Sequence, residues 1–259
     1  MTTTMQSEHD HGNLSQRAQR LGLYGLLAHF DELKQEEWIP MLLDYEEAER
    51  DRRSLERRLK NAKLGKFKPM ADFDWQWPKK IDHEHVQELF TFDSVSEAAN
   101  VILIGPNGVG KTMIAANLAY QAIHKGYTVR FLTASELLND LAAQESSSAF
   151  MRRFRHYTQP LILVIDEIGY LATSSEHADL LFEIVTRRYQ EISIILTTNK
   201  RFAEWNQVFP NSACVVTLVD LLIHKSEIVV IDGKSYRHKE SLERADKNKQ
   251  KRSRKKKSK

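Results

Sequence analysis

The chain of 259 residues is long enough to bury one sizeable core and a small accessory unit. Its hydrophobic and charged fractions, 41% and 28%, are those of a globular protein in water, and its apolar runs are too short to cross a bilayer. The single cysteine excludes an intramolecular disulfide, and no apolar stretch near the N-terminus indicates a secretory signal. We therefore expect a cytoplasmic protein without a membrane partner.

The net charge of +3 is unevenly distributed along the chain. Nine Lys or Arg residues and no acid lie between Lys247 and Lys259, whereas the remainder carries 29 basic and 35 acidic residues. A basic block on a mildly acidic body favours a polyanionic partner, nucleic acid first, although a solubilising tail has the same composition. We assign residues 241–259 to a basic tail and the polar residues 1–12 to a disordered N-terminus.

Residues 13–66 predict a small helical N-terminal domain, because apolar residues between Leu42 and Leu59 recur near helical spacing. The mixed charges between Tyr45 and Lys60 are typical of a solvated helix face with opposite charges three or four residues apart. A docking surface for a partner is the alternative interpretation of these charges.

The next segment, residues 67–82, predicts an aromatic linker that is not one continuous helix, since it contains two prolines. Aromatic residues in such a segment more often pin a linker onto a domain than stack nucleic-acid bases, the alternative that the neighbouring lysines leave open. The aromatic residues are Phe67, Phe73, Trp75 and Trp77.

Between residues 83 and 240, short apolar strands alternate with helices. Strands so rich in Ile, Leu and Val are typical of a parallel sheet covered on both faces, so we expect an α/β fold. The predicted strands are Val101–Ile104, Thr128–Leu132, Leu161–Ile165 and Ile192–Leu196. The predicted helices are Lys111–His124, Ser135–Ala143, Ala149–Tyr157 and Glu176–Tyr189. Further along, Glu227–Ile231 and Lys234–Arg237 flank an Asp-Gly pair, which predicts a small hairpin.

An eight-residue phosphate-binding loop runs from Gly105 to Thr112, after the first predicted strand and into the first predicted helix. Its glycines let backbone N–H groups turn inward around phosphates, and the helix adds the positive end of its dipole. We expect Lys111 to reach the β and γ phosphates and Thr112 to ligate Mg²⁺. The predicted nucleotide-binding residues are Gly105, Pro106, Asn107, Gly108, Val109, Gly110, Lys111, Thr112 and Met113.

Two carboxylates, Asp166 and Glu167, close the apolar strand that begins at Leu161. An acid at a strand tip beside a phosphate loop holds Mg²⁺, and we assign that role to Asp166. Glu167 is then placed to polarise the attacking water, so the pair predicts ATP hydrolysis. Helix capping by Asp166 is the structural alternative.

Asn199 follows the next apolar strand, where it would orient the attacking water, although a strand-end Asn also forms turns. The run from Asn199 to Phe202 lacks the aspartate that guanine recognition requires at its fourth position, so ATP is expected rather than GTP. The predicted catalytic residues are therefore Lys111, Glu167 and Asn199, with ATP and Mg²⁺ as ligands.

These motifs resemble the AAA+ ATPases, and within them the IstB/DnaC-like branch, most closely the IstB transposition helpers. The resemblance covers nearly the whole chain. Besides the phosphate loop it rests on Ile165-Asp-Glu-Ile-Gly-Tyr170, Asp179-Leu-Leu-Phe182, Arg187-Arg-Tyr189, Thr197-Thr-Asn199, Glu204-Trp205, His224, Ser226 and Gly233-Lys-Ser-Tyr-Arg237.

The resemblance implies an AAA+ core of three layers, with a parallel sheet between helices, preceded by the small helical domain. It implies self-association into an ATP-dependent oligomer on duplex DNA and stimulation of a partner transposase. A replicative helicase loader of the DnaC type shares this core and is one alternative. A nucleotide-gated DNA scaffold that scarcely hydrolyses ATP is another.

The resemblance also places the DNA-facing surface on the helical insert after the second strand. It assigns phosphate contacts to Arg152, Arg153 and Arg155, and hydrogen bonds to DNA to Thr133 or Ser135. A solvated helix face is the alternative interpretation of this basic cluster.

One position departs from the family pattern. Leu221 stands where the branch normally supplies an arginine to the nucleotide of a neighbouring subunit. Because an arginine finger contributes a factor of roughly 10³ to 10⁵ to phosphoryl transfer, its absence predicts slow hydrolysis. Arg187 and Arg188 are candidates for a replacement that acts in trans, with a place on a helix surface as the alternative.

Overall fold

The computed structural model describes residues 13–169, 175–209 and 213–245. The chain divides into two compact units, 1–57 and 58–259. The division lies inside a helix and precedes residue 66, where the sequence placed the end of the N-terminal domain. The predicted disordered segment 1–12 and residues 246–259 of the predicted basic tail lie outside the described residues.

The N-terminal unit is helical. It contains α1 (13–20), α2 (Tyr24–Ala28), α3 (Phe30–Leu33) and the first part of α4 (Trp38–Ala62). Its small core is formed between the α1 region and the start of α4. The buried side chains of this core are Leu14, Ala18, Leu21, Ile39 and Leu43. Ion pairs from Arg17 to Asp44 and Glu47 reinforce this packing.

The second unit contains every strand that is described and the remaining helices. The strands are β1 (Asn100–Ile104), β2 (Val129–Thr133), β3 (Ile162–Ile168), β4 (Ser193–Thr198) and β5 (Ser226–Val230). The helices are α5 (His83–Leu89), α6 (Asp93–Ser96), α7 (Lys111–His124), α8 (Ala134–Ala142), α9 (Ser147–Thr158), α10 (Ser175–Arg188), α11 (Trp205–Val208), α12 (Val215–Ile223) and α13 (236–245). Two 3₁₀ turns lie at Met70–Asp72 and Phe202–Glu204.

The five strands form one sheet in the order β2-β3-β4-β1-β5, and every neighbouring pair is parallel. The carboxyl ends of the strands therefore share one edge of the sheet. At that edge Ile104 is in register with Thr198, and Thr133 with Asp166. The loop after β1 thus lies beside the end of β4 and one strand away from the end of β3.

Helices cover both faces of this sheet, which explains why its strands are apolar on both sides. Ile102 and Ile104 of β1 belong to a buried cluster that also contains side chains of α8, α10 and α12. Ile114 and Leu118 of α7 are buried outside that cluster, and α7 packs against β1 to β4. The three-layer α/β fold is therefore confirmed, and the predicted strands and helices match the observed ones closely.

The hairpin predicted around Asp232-Gly233 is wrong. The first of its two segments is β5, which pairs in parallel with β1, and the second begins α13. Asp232 instead forms an antiparallel bridge with Lys80. Two contacts favour the helix over a second strand. One is long-range, from the backbone N–H of Tyr236 to Gly108 O, and the other is local, from the backbone N–H of His238 to Ser235 Oγ.

Candidate nucleotide-binding site

The phosphate loop lies between β1 and α7. The backbone N–H of Gly105 donates to the carbonyl of Thr198 over 3.1 Å, which fixes the start of the loop on β4. Gly108 and Gly110 have φ angles of 78° and 105°, in the left-handed region that favours glycine. Gly110 is also the residue from which α7 begins, so the loop feeds directly into a helix N-terminus.

Neighbouring segments also require glycine in this loop. A Cβ atom on Gly105 would collide with the carbonyl oxygen of Ile231, and one on Gly108 would collide with Ser235 Oγ. A Cβ atom on Gly110 would collide with the ring of Phe73. The loop is therefore enclosed by the end of β5, the start of α13 and residues 67–82.

Lys111 is buried at the start of α7. Its Nζ donates to the carbonyls of Gly105 and Pro106, over 2.7 and 2.9 Å, so the ammonium group lies within the loop. Burial lowers the pKa of Lys111, and the nearby carboxylate of Asp166 acts in the opposite direction. A buried cation inside a loop of backbone amides is suited to bind an anion such as a phosphate.

Two threonine hydroxyls meet one oxygen of Asp166. Thr112 Oγ1 donates to Asp166 Oδ1 over 3.1 Å, and Thr197 Oγ1 donates to the same oxygen over 2.5 Å. Asp166 is 4% exposed, and these contacts offset part of the cost of burying its charge. The start of α7 and the ends of β3 and β4 therefore converge on a single carboxylate.

Glu167 differs from its neighbour in orientation. The register between β3 and β4 shifts between Ile165 and Ile168, and Glu167 has a φ of 62°. Its backbone N–H donates to Thr197 Oγ1 over 2.9 Å, while its side chain is exposed. Consecutive side chains of a strand point to opposite faces, and the register shift lies at the same point, so Asp166 and Glu167 occupy different environments.

Asn199 lies just beyond the end of β4. Its Oδ1 is buried and accepts no hydrogen bond from the part of the chain that the structure describes. Gly169, with a φ of 119°, passes so close that a Cβ atom there would collide with this oxygen. A buried acceptor of this kind has the capacity to bind a water molecule.

A cavity of about 450 Å³ lies over the phosphate loop, a volume within the usual range for small-molecule sites. One side is formed by the loop, Glu167, Thr197 and Asn199. The other side is formed by Lys66 and by residues of the aromatic linker and of α13. These are Lys66, Phe67, Lys68, Asp72, Phe73, Asp74, Trp77, Pro78, Tyr236, Arg237 and Glu240.

The chemistry of this edge fits Mg²⁺. Thr112 Oγ1 and Asp166 Oδ1 are hard oxygen donors that already lie in contact. Over residues 13–169, 175–209 and 213–245, no cluster of three or more His, Cys, Asp or Glu side chains is arranged to hold a metal. Mg²⁺ in phosphate-loop proteins needs few protein ligands, since phosphate and water oxygens supply the rest.

Comparison with known proteins decides the family. The family profile described as IstB-like ATP binding protein matches residues 7–244. This chain belongs to the IstB-like ATP-binding family. A protein named as ATP-binding from insertion sequence IS21 of Pseudomonas aeruginosa is 38% identical over 209 residues, covering 81% of this chain and 79% of the relative. Its counterpart from IS5376 of Geobacillus stearothermophilus is 34% identical, covering 82% and 85% of the two chains.

Solved structures agree with the AAA+ fold. The crystal structure of DnaI gives a TM-score of 0.52 at 15% identity, covering 64% of this chain and 89% of DnaI. The replication initiator DnaA bound to AMPPCP and single-stranded DNA gives 0.51 at 17% identity, covering 63% and 52%. At these identities the likeness concerns the fold alone. In the described part of this IstB-like chain, no helix combines the length and hydropathy needed to cross a membrane.

The structure adds five residues to the nucleotide site of this IstB-like chain: Thr197, Phe73, Trp77, Tyr236 and Arg237. From the sequence, Phe73 and Trp77 were interpreted as residues that pin the linker onto the core. They do pack on the core, and they also line the cavity. Arg237 is exposed, and its charge acts on Lys111. Thr197, Tyr236 and Arg237 lie in stretches on which the family resemblance rests, but the sequence assigned them no role at the nucleotide, because their proximity to the loop depends on long-range packing.

The residues predicted to contact DNA lie away from the nucleotide cavity. Arg152 and Arg155 are exposed on α9. Arg153 is engaged in an ion pair with Asp140 on α8, with Nε and Oδ2 2.6 Å apart. Thr133 caps α8 through a reciprocal contact with Glu136, and Ser135 accepts a hydrogen bond from Asn139.

The prediction that Arg188 is a candidate to act in trans is wrong, because the Arg188 side chain is buried. Arg188 is 1% exposed, and burial lowers its pKa to about 9. Its guanidinium donates to the carbonyls of Tyr157, Thr158, Pro160, Leu161 and Ser193. Such a group joins the end of α9 to the starts of β3 and β4 and is not accessible to another subunit. Arg187 is exposed, and Leu221 packs half-buried against the main core cluster.

Proposed function

We propose that this IstB-like protein hydrolyses ATP with Mg²⁺, self-associates on duplex DNA and stimulates a partner transposase. The observation that carries the ATPase assignment is the convergence of Thr112, Asp166 and Thr197 at one edge of the sheet, beside a complete phosphate loop. A structural calcium or phosphate site would not require the exposed acid and the buried amide oxygen that follow on the same edge.

Each residue at this edge has a separate task. The amides of the loop and Lys111 bind the β and γ phosphates, while Thr112 and Asp166 hold Mg²⁺. Mg²⁺, when bound, would neutralise part of the negative charge on the phosphate oxygens. Thr197 holds the Asp166 carboxylate in place and, through the backbone of Glu167, fixes the direction of the next side chain.

Glu167 accepts a proton from the attacking water. Its carboxylate faces the cavity, and its exposure keeps it available to water that enters there. Asn199 Oδ1 accepts a hydrogen bond from the same water, because it is buried at the cavity wall without another described donor. The two side chains come from adjacent strands, β3 and β4, and so approach the γ phosphate from one side.

The role in transposition is supported by the relatives, whose names place them in insertion sequences. The exposed positions of Arg152 and Arg155 on α9 support binding to the phosphates of duplex DNA. The test is a purified reaction with a transposase of an IS21-type insertion sequence. Transposition should require both this protein and ATP, and it should fail with Lys111→Ala. Equal product without ATP, or with the Lys111 variant, would contradict the proposal.

A DNA scaffold with little hydrolysis is a second candidate. It is favoured by the half-buried Leu221 at the arginine position and by the burial of Arg188. Turnover measured with saturating duplex DNA separates the two, since the scaffold should bind ATP without a DNA-dependent rise in phosphate release.

A further inference from the structure

Asn117 is a polar residue in an apolar place. It lies in the middle of α7, where the neighbouring buried residues are Ile114, Ala115, Ala116, Leu118 and Ala119. It is 6% exposed, and asparagine is a weaker helix former than the alanines around it. A buried asparagine in a helix of this kind needs hydrogen bonds that offset its burial.

Those hydrogen bonds go to the aromatic linker. The backbone N–H of Met70 donates to Asn117 Oδ1 over 2.9 Å, and Asn117 Nδ2 donates to Lys68 O over 2.9 Å. The same Nδ2 also donates to Met113 O, one turn earlier in α7, over 2.8 Å. The carboxamide of Asn117 therefore binds the linker backbone through both its oxygen and its nitrogen, and its hydrogen bond to Met113 O holds it against its own helix.

The bound stretch of linker is a wall of the nucleotide cavity. Phe67 and Lys68 line the cavity before the contact with Asn117, and Phe73, Trp77 and Pro78 line it after. Phe73 also packs on Gly110, so the linker touches the phosphate loop itself. The later part of this wall is held by the backbone bridge Lys80–Asp232 and by the hydrogen bond from Trp77 Nε1 to Lys234 O. Around residues 68–74 the other polar ties are the pairs Lys68–Glu240 and Asp74–Lys239, which involve partly exposed side chains and are weaker than the buried contacts of Asn117.

We propose that Asn117 is a positioning residue for nucleotide binding, which acts by holding the linker in place as the wall that faces the nucleoside part of the ligand. The proposal rests on the ATP-binding function proposed above. The wall offers apolar and aromatic surface, which suits a nucleoside, whereas the loop and Lys111 bind phosphates. Loss of the carboxamide should therefore weaken ATP binding without weakening the binding of phosphates alone.

Two variants of the full-length protein remove the contact from opposite sides. Asn117→Leu keeps the size of the side chain and removes its polar atoms, and Asn139→Leu on the surface of α8 is its matched control. Met70→Pro removes the donating N–H without changing α7. Pro69 already has a ψ of 155°, which a following proline requires, and the first residue of a 3₁₀ turn tolerates proline. Met70→Ala is the control that keeps the N–H.

Dissociation constants for Mg-ATP and for inorganic tripolyphosphate are measured for the parent, these four variants and Lys111→Ala. We expect Asn117→Leu and Met70→Pro to weaken ATP binding about tenfold, as loss of about one hydrogen-bonded contact implies, and to leave tripolyphosphate binding unchanged. Hydrogen exchange of the nucleotide-free protein should show faster exchange in residues 67–74 for these two variants only. The controls should behave as the parent does.

Parent-like ATP binding by both variants would overturn the proposal, and so would an equal loss of ATP and tripolyphosphate binding, which indicates general destabilisation. If Asn117→Leu does not fold, Met70→Pro against Met70→Ala decides. Lys111→Ala separates a failure of the proposed role of Asn117 from a failure of the nucleotide-site assignment, because this variant should lose both ATP and tripolyphosphate binding. If it retains both, the assignment of the nucleotide site itself is wrong, whatever the Asn117 variants do.

Discussion

The hydroxyl of Thr197 donates a hydrogen bond to Oδ1 of Asp166 over 2.5 Å, between the ends of two adjacent strands. The same hydroxyl oxygen accepts the backbone N–H of Glu167 over 2.9 Å. A single side chain on β4 therefore contacts both the buried acid, which Thr112 also holds, and the backbone of the exposed one. The relative position of the two acids depends on β4 as much as on β3, which carries them.

Thr197→Val should lower the turnover number for ATP by about 10- to 100-fold, because a small displacement of catalytic groups has effects of that size. ATP affinity should change little, since the phosphate loop is untouched. The measurement is steady-state phosphate release with Mg²⁺. Thr198→Val is the matched control: Thr198 is also buried at the end of β4, but its hydroxyl bonds to the backbone of Lys200. Equal loss in the two variants would mean that strand packing, and not the acid pair, is responsible.

Glu167→Gln should retain ATP binding and stop turnover, because the amide cannot accept the proton of the attacking water. Asp166→Asn should in addition weaken the Mg²⁺-dependent part of ATP binding, since one of the proposed metal ligands loses its charge. Binding is measured by titration with and without Mg²⁺, and turnover by phosphate release. Parent-like turnover in the Glu167 variant would remove this residue from its proposed role.

The sequence predicts the sheet well because its strands are short apolar runs bounded by turn residues, and the phosphate loop connects one of them to a helix. Lys111, Thr112 and Asp166 lie together as the strand ends require. The wall opposite the loop was not predictable in the same way. Phe73 meets Gly110 only because the linker folds back along α7, a contact that no local pattern encodes.

Two adjacent arginines also show that local sequence patterns do not determine which side chains are buried. Arg187 and Arg188 are equivalent in the sequence, but their directions on α10 differ by one residue step, and only Arg188 points into the core. The predicted hairpin failed for a related reason. Asp-Gly is a strong turn signal, yet the pairing of β5 with β1 and the contact of Tyr236 with Gly108 are long-range interactions that override it.

Arg188→Leu should lower the free energy of unfolding by about 3 kcal/mol or more, because several buried carbonyls lose their donor at once. Arg187→Leu should change it by less than about 0.5 kcal/mol, as expected for a surface position. Both are measured by urea denaturation. A parent-like midpoint for Arg188→Leu would show that its hydrogen bonds do not stabilise the fold. Reduced turnover in Arg187→Leu with unchanged stability would support a trans-acting role for Arg187.

The double variant Arg152→Glu, Arg155→Glu should weaken binding to all duplex sequences and reduce the log–log salt dependence by roughly one unit per lost phosphate contact. Arg153→Glu should act mainly on stability, since its partner is Asp140. Deletion of residues 247–259 should lower affinity less than the double variant. Affinity is measured at several salt concentrations. If the deletion abolishes binding and the double variant has no effect, α9 is not the DNA surface.

Leu221→Arg tests the departure from the family pattern. Leu221 packs half-buried on the core, so arginine should cost about 1–2 kcal/mol of stability while its long stem lets the guanidinium reach the surface. If α12 faces the ATP of a neighbouring subunit, the new guanidinium stabilises charge that develops on the γ phosphate, and DNA-stimulated turnover rises.

Leu221→Lys is the control, because it carries the charge without the planar fork and should raise turnover less. The measurement is phosphate release at saturating DNA, beside a thermal melt of each variant. Turnover in the parent that already equals that of the Arg variant would mean that another residue, with Arg187 the exposed candidate, acts on the neighbouring nucleotide. A variant that does not fold would place Leu221 in the core and α12 away from the subunit boundary.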